Sequence, residues 1–219
     1  NAEAMVLSPG FIDMHSHADG SLFSGDAETR AAANLVAQGI PTIVVGPDGR
    51  HPPWPISAEI AGYDAGGTGL NVVPMVGHGT VRTQVMGEDN ERHATEDEIR
   101  QMTVLVRQGM EEGAWGLSTG LDYPPGSYAS TSELAELAGV AARLGGHYHT
   151  HTRASLKSKG LMAPWEEALD IGRGGDCPVH LTHYRQSAAG VGSHLDYLEL
   201  VENARDEGMD VTFDCYTYP

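Results

Sequence analysis

FIDMHSH, residues 11–17, is a short apolar run that ends in two histidines one residue apart. Successive side chains of a strand point to opposite faces, so His15 and His17 share a face, with Asp13 on the same side. Two interpretations are open at this point: a pair of metal ligands, or two polar residues where a strand leaves the core. The rest of the chain has to supply the partners that would favour the first.

Six more short apolar segments follow, with helix-like stretches between most of them. The strand starts recur at about 30 to 40 residues, the length of a βα unit. Helices are predicted over residues 28–38, 95–112, 131–144, 165–172 and 195–207. The strand segments are GFIDMHSH, IPTIVVG, LNVVPMVG, AWGLSTG, GHYHTHT, PVHLTHY and DVTFDCY.

Local chemistry supports these helices. Thr95 and Glu98 in TEDE form a predicted capping box, in which each side chain satisfies a backbone N–H of the first turn. Glycines follow four of the predicted helices and precede a strand, where a left-handed residue ends a helix. They are Gly39, Gly113, Gly145 and Gly208.

Repeated βα units form a parallel sheet, either open or closed as an eight-stranded barrel. The first strand is followed by no glycine-rich phosphate motif, and the strand ends carry histidines instead. Barrel sites collect residues from many strand ends at one face, so we predict an α/β fold, a TIM-like (β/α)8 barrel over residues 10–219. With about seven βα units present it would be incomplete, its eighth strand lying beyond Pro219.

Composition limits the choice of partner. The 219 residues are 40% hydrophobic, enough for one sizeable core. A formal charge of -17 disfavours nucleic acid and anionic membranes, so we expect a small-molecule ligand. Cys177 and Cys215 lie in no CxxC pair, which predicts a reducing, cytoplasmic setting. No apolar run approaches the ~20 residues of a membrane span.

Two further strands offer histidines. HYHTH places His147, His149 and His151 on one face, with His151 nearest the carboxyl end of the strand. In VHLTHYR, His180 and His183 are three apart, so a strand would send at most one of them inward. Neutral imidazole is a good ligand for zinc and similar cations. The histidines therefore predict a shared metal site at the strand ends.

Five stretches carry a resemblance to a known family: GFIDMHSHAD, VGHGTVR, STGLDYPPGSYAS, HTHTR and LTHYR. In this order they resemble the amidohydrolase superfamily and, within it, the D-aminoacylase (N-acyl-D-amino-acid deacylase) family. STGLDYPPGSYAS is the most discriminating stretch. Family members are longer and carry a small β-sandwich built from both chain ends. The resemblance implies that residues 1–9 are a remnant of that sandwich and that the chain is a fragment.

The resemblance also implies a metal-ligand set. His15 and His17 match the ligands of the more exposed metal, and His151 and His183 match those of the tighter one, with one or two zinc ions expected. Asp48, in GPDG, stands where the family has a cysteine within a Gly-Asn-Cys-Gly turn. An aspartate oxygen can bind zinc, although it is a harder ligand than a thiolate. The alternative for Asp48 is a simple Pro-Asp-Gly turn.

Two more roles follow from the resemblance. Tyr123 matches a tyrosine that hydrogen-bonds the oxyanion; its alternative is packing in a Pro-Pro turn. Arg185 replaces a family lysine and suits the substrate carboxylate; its alternative is surface solvation. The family's general acid/base is an aspartate of strand eight, outside this chain, so we expect the fragment alone to hydrolyse little.

The predicted activity is zinc-dependent hydrolysis of N-acyl-D-amino acids by the full-length parent. One alternative is a sister amidohydrolase acting on cyclic amides or on L-configured or peptidic N-acyl substrates. Another is a metal-binding barrel without catalysis, which the Asp48 replacement would favour. Because a barrel lacking a strand has two open edges, we also expect a homo-oligomer or bound extra segments.

Overall fold

The computed structural model describes residues 6–50, 54–185 and 193–216. Strands and helices alternate along this part of the chain, and all of its strand pairs are parallel. Each predicted strand segment is present, and the third is divided at Met75 into two strands. The strands are β1 Ile12–Asp13, β2 Thr42–Val45, β3 Asn71–Pro74, β4 Val76–Gly77, β5 Gly116–Gly120, β6 His147–His151, β7 Val179–Leu181 and β8 Val211–Phe213.

The strands lie in sequence order in two sheets, β1-β2-β3 and β4-β5-β6-β7-β8. Backbone hydrogen bonds continue across the break, because Met75 N–H donates to the Val45 carbonyl and Trp115 N–H to the Pro74 carbonyl. His15, just after β1, nevertheless reaches His149 on β6. The sheets must therefore curve strongly to bring these distant strands together.

Helices cover the outside of the sheets. The helices of the described residues are α1 Asp19–Leu22, α2 Ala27–Arg30, α3 Ala33–Val36, α4 Ile56–Gly66, α5 His78–Met86, α6 Glu96–Glu111, α7 Thr131–Arg143, α8 Ala163–Gly175 and α9 His194–Asp206. The last four lie where the sequence predicts them, and the Thr95–Glu98 capping box opens α6. All four predicted helix-ending glycines have positive φ.

The predicted helix over residues 28–38 is wrong as a single element. Ala32 has φ 47, in the left-handed region, and separates α2 from α3. Three other helices escaped prediction: α1 and α4 begin after Ala18 and Pro55 without a side-chain cap, and α5 begins directly at the end of β4. Without a polar capping residue or a break between strand and helix, the sequence carried no start signal for any of them.

The two faces of β6 show how the interior is built. Tyr148 is fully buried among apolar side chains such as Leu134 and Leu169, on helices α7 and α8. His149, on the opposite face, is also fully buried but lies beside His15 and His180. The apolar core therefore fills the space between strands and helices, while the inner face of β6 is lined with histidines.

Two general features bear on the sequence expectations. No helix in the described ranges has both the length and the apolar character that crossing a bilayer requires. Cys177 is a buried free thiol and Cys215 an exposed one.

Candidate metal centre

Asp48 lies in a tight turn directly after β2. The turn Pro47–Gly49 is a short 3-10 helix in which Asp48 has φ 60, a left-handed value that aspartate tolerates better than most residues. Ser118 of β5 holds this turn: its hydroxyl donates to the Gly46 carbonyl at 2.5 Å and accepts from Gly49 N–H at 3.2 Å. The Pro-Asp-Gly turn expected as the alternative role of Asp48 is therefore present, and it directs the Asp48 carboxylate toward the histidines.

The Asp48 carboxylate lies between the histidines of two strands. Its Oδ1 is 3.6 Å from Nε2 of His15 and 3.7 Å from Nδ1 of His151. Its Oδ2 is 3.4 Å from Nε2 of His17. Asp48 Oδ1 is buried and has no hydrogen-bond partner within the described residues. A buried carboxylate oxygen facing imidazole nitrogens fits a cation, which would satisfy it.

His151 and His183 form the other side of this arrangement. Nδ1 of His151 lies 3.0 Å from Nε2 of His183, and both belong with Asp48 to one group that could hold a metal ion. Nε2 of His151 lies 3.1 Å from Oδ2 of Asp122. A carboxylate on the outer nitrogen of an imidazole fixes the ring and leaves the inner nitrogen to face the centre.

The expectation that at most one of His180 and His183 looks inward is wrong. The ring of His180 stacks on His149, at a centroid distance of 4.7 Å, while His183 contacts His151. The strand ends at Leu181, and His183 lies in a turn with φ 38. Alternation applies only within a strand, so the turn returns the second histidine to the interior.

Asp214 is a site residue that the sequence reasoning missed. Its Oδ1 accepts the backbone N–H of His183 at 2.6 Å, and its Oδ2 lies 3.0 Å from Nε2 of His180. It therefore fixes the turn that carries His183. A signal was available, because Asp214 directly follows a strand and strand-end residues build the sites of such folds.

His149 and Asp122 were also missed as site residues. His149 forms a group with His15 and Asp214 whose ligand atoms lie within 4.8 Å of one another. The sequence predicted the face of β6 on which His149 lies, but the alternation of side chains along a strand does not tell which other strand the side chain contacts. Asp122 sits in a loop, where the sequence gives no side-chain direction.

Tyr123 lies against the centre. It lines the same cavity as Asp48, and its ring centroid is 5.4 Å from that of His151. Gly120 makes this possible, because a Cβ there would collide with the Asp48 carbonyl and the Tyr123 hydroxyl. A cavity of about 600 Å³ opens beside the tyrosine, lined by His17, Asp19, Pro47, Asp48, Arg50 and Tyr123.

Arg185 lies at the edge of the centre. Its side chain is exposed, and its guanidinium carbon is 4.5 Å from the centroid of the Tyr216 ring. The same ring stacks on His183 at 5.8 Å. The structure therefore brings together Tyr123, Asp48 and the four predicted histidines, and it links Arg185 to them through Tyr216.

Burial and charge set the protonation of the cluster. Burial lowers the pKa of His15, and burial together with His151 lowers the pKa of His183 to about 4. Burial alone would raise the pKa of Asp48, but the hydrogen bond from His17 and the nearby imidazoles lower it. The same hydrogen bond raises the pKa of His17. An ionised carboxylate beside neutral imidazoles is the state that binds divalent metals.

Comparison with known proteins identifies the family of this chain. The model of the amidohydrolase family that matches the chain covers residues 1–215. D-aminoacylase of Alcaligenes xylosoxydans xylosoxydans is 33% identical over 100% of this chain and 48% of its own length. N-acyl-D-aspartate deacylase of the same organism is 33% identical over 100% of this chain and 47% of its own.

A solved structure is similar over almost the whole chain. It is N-acyl-D-glutamate deacylase from Bordetella bronchiseptica, complexed with zinc and a phosphonate inhibitor that mimics the tetrahedral intermediate. The TM-score is 0.84 at 31% identity, covering 96% of this chain and 48% of that one. The present chain thus spans about half the length of the relatives it matches. It belongs to the amidohydrolase family.

Proposed function

We propose that the whole protein hydrolyses the amide bond of N-acyl-D-amino acids with the help of zinc. The observation that carries the proposal is the position of Asp48, whose two carboxylate oxygens face the histidine pairs of both halves of the site. The similarity to deacylases of N-acyl-D-amino acids supports the substrate class. The parallel strands and their curvature support an incomplete TIM-like barrel as the scaffold.

Two overlapping ligand sets are proposed. His15, His17 and Asp48 would hold one ion, and Asp48, His151 and His183 the other. Asp48 would then replace the family cysteine as the shared ligand. A zinc ion bound there would supply a nucleophile at neutral pH and polarise the substrate carbonyl.

The chain's own groups would position and stabilise the substrate. Burial raises the pKa of Tyr123, and the charge of Asp48 raises it further, so its hydroxyl stays protonated. A protonated phenol beside the centre can donate a hydrogen bond to the oxyanion that develops on the amide oxygen. Arg185, always charged, would bind the free carboxylate of the N-acyl amino acid from the Tyr216 side.

The activity is proposed for the whole protein, because this chain spans about half the length of its relatives. From the 219 residues alone we expect little hydrolysis, since the resemblance puts the proton-transferring aspartate in the barrel strand that would follow β8. We also propose a cytoplasmic location.

The test combines metal analysis with paired substrates. The full-length protein, loaded with zinc, is assayed with N-acetyl-D- and N-acetyl-L-amino acids, and its zinc content is measured by plasma mass spectrometry. Turnover of the D series, lost on His151→Ala together with zinc, is the expected result. Turnover of the L series only would favour a sister amidohydrolase, and zinc without turnover of either would favour a metal-binding barrel.

A further inference from the structure

His149 is a buried histidine with a single hydrogen-bond partner among the described side chains. It lies in the middle of β6, fully buried, and pairs with Ser118 and His180 in the neighbouring strands. Its Nε2 is 3.1 Å from Nδ1 of His15, while its own Nδ1 is buried without a partner in the described part of the chain. Burying an imidazole costs free energy unless its nitrogens are paired. The single contact with His15 therefore calls for a functional explanation.

We propose that His149 is a positioning residue, whose Nε2 accepts a hydrogen bond from Nδ1–H of His15 and so directs the bare Nε2 of His15 toward Asp48. The inference rests on the proposed metal centre, because only a ligating His15 requires its proton on Nδ1. A neutral imidazole carries one proton, and the nitrogen that faces a cation must be free of it.

The positions of the two His15 nitrogens fit this direction of the hydrogen bond if Nε2 is the ligand atom. Nε2 of His15 lies 3.6 Å from Asp48 Oδ1, within the candidate ligand group, whereas Nδ1 points away from that group to His149. If the His149 ring donated instead, the proton of His15 would sit on Nε2 and block the ligand atom. With His15 as donor, the remaining proton of His149 lies on Nδ1.

A different role, as a metal ligand, fits less well. His15, His149 and Asp214 lie close enough to form a group of their own. An ion there would take Nδ1 of His15, while the main centre takes Nε2 of the same ring. A neutral imidazole cannot offer both nitrogens, so one ring cannot serve both ions without losing its last proton.

The position of His149 also contrasts with that of Asp122. Asp122 contacts the outer nitrogen of His151 with a charged carboxylate, whereas His149 contacts the outer nitrogen of His15 with an uncharged ring. Orienting partners of metal-bound histidines are commonly carboxylates, backbone carbonyls or water. An imidazole in this role orients the ligand without adding a negative charge to a site that Asp48 already occupies.

The test uses three variants of this chain. His149→Phe keeps an aromatic ring in the buried position but removes the acceptor, and His149→Gln restores an acceptor near the place of Nε2. His147→Phe is the matched control: it makes the same change on the same face of β6, at a histidine whose ring lies 6.0 Å from that of His149. Circular dichroism confirms that each variant folds.

Two readouts follow the hydrogen bond directly. Two-bond proton–nitrogen spectra of ¹⁵N-histidine report the tautomer of His15 in the metal-free chain, and chelator competition measures zinc affinity. We expect His15 to be the Nδ1–H tautomer in the wild type and in His149→Gln, and a mixture of the Nδ1–H and Nε2–H tautomers in His149→Phe. The zinc affinity of His149→Phe should be about 10- to 100-fold lower than that of the wild type. His147→Phe should match the wild type in both.

Three results would overturn the inference. The first is an unchanged His15 tautomer in His149→Phe, and the second is a change of tautomer and zinc affinity in His147→Phe as large as in His149→Phe. The third is the loss of one whole zinc ion from His149→Phe without a tautomer change, which would make His149 a ligand. Because the tautomer is measured without metal, the two proposals fail separately. A chain that takes up no zinc but changes tautomer in His149→Phe refutes the metal centre and keeps the positioning contact.

Discussion

Oδ2 of Asp122 lies 3.1 Å from Nε2 of His151, on the side of the ring opposite Asp48 and His183. The carboxylate thereby fixes the nitrogen that faces the centre. We expect Asp122→Asn to lower zinc affinity by about 10- to 100-fold, because an amide oriented to accept from Ala154 N–H no longer accepts from His151. Chelator competition measures the change, with the exposed Asp170→Asn as control. Equal affinity in both variants would remove Asp122 from the site.

Asp48 is the second residue to test. Asp48→Asn removes the negative charge between the histidines and should weaken zinc binding more than the Asp122 variant does, because a neutral amide is a poorer ligand than a carboxylate. Asp48→Cys should bind zinc at least as tightly as the wild type, since a thiolate is the softer ligand. Plasma mass spectrometry measures the zinc content of each variant, and chelator competition measures its zinc affinity. Full zinc binding by Asp48→Asn would mean that Asp48 only forms the turn and is not a ligand.

Tyr123→Phe separates catalysis from metal binding. Removal of one oxyanion donor commonly lowers kcat by about 100- to 1000-fold, and we expect a loss in this range for the full-length protein. Zinc content should stay at the wild-type value, because the phenol is not a proposed ligand. A raised KM with unchanged kcat would instead make Tyr123 a residue of substrate binding.

Two buried histidines of β6 that are not proposed metal ligands predict a pH-dependent stability. Burial, with a smaller contribution from His180, lowers the pKa of His147 from 6.5 to about 4, and burial lowers that of His149 well below 6.5. Between those values the unfolded chain binds protons that the folded chain excludes, so the free energy of unfolding falls as the pH falls from about 6.5 to about 4.

The slope for each such proton is at most about 1.4 kcal/mol per pH unit. Urea titrations of the metal-free chain between pH 7 and pH 4 measure it, and His147→Phe should reduce the slope. A free energy of unfolding that is flat over this range, or rises toward acid, would contradict the assignment of neutral buried imidazoles.

The edges of the sheets predict self-association of this chain. In the described residues β1 and β8 each pair on one side only, and Ile12 and Phe213 expose 60% and 38% of their surface there. A cleft of about 620 Å³ lies between these strands. We expect the 219-residue chain to form dimers or to keep an additional peptide bound along these open strand edges. Light scattering with mass spectrometry tests this, and a monodisperse monomer without additional peptide would contradict it.

The sequence predicted the strands and the long helices where local signals were strong. Thr95 and Glu98 formed the expected capping box, and the strand pattern placed His147, His149 and His151 on one face. The reasoning failed where the backbone left a regular element. Ala32 and His183, neither of them glycine, have positive φ and redirect the chain, which no periodicity shows.

Contacts between distant strands were also beyond prediction. Nothing in the sequence indicates that His149, rather than His147, meets His15, because this depends on how strongly the sheets curve. The roles of Asp122 and Asp214 depend in the same way on which strand ends become neighbours. Alternation gives the face of a side chain, and only the three-dimensional fold gives its partner.

The contact between His15 and His149 spans 134 residues of the chain. During synthesis on the ribosome, the first half of the chain emerges with His15, His17 and Asp48, long before His151 and His183 exist. A centre divided in this way cannot form until the strands that carry its second half have been made. Metal uptake would then follow the synthesis of β6 and β7, and a cation held there would connect the first strand to these later ones.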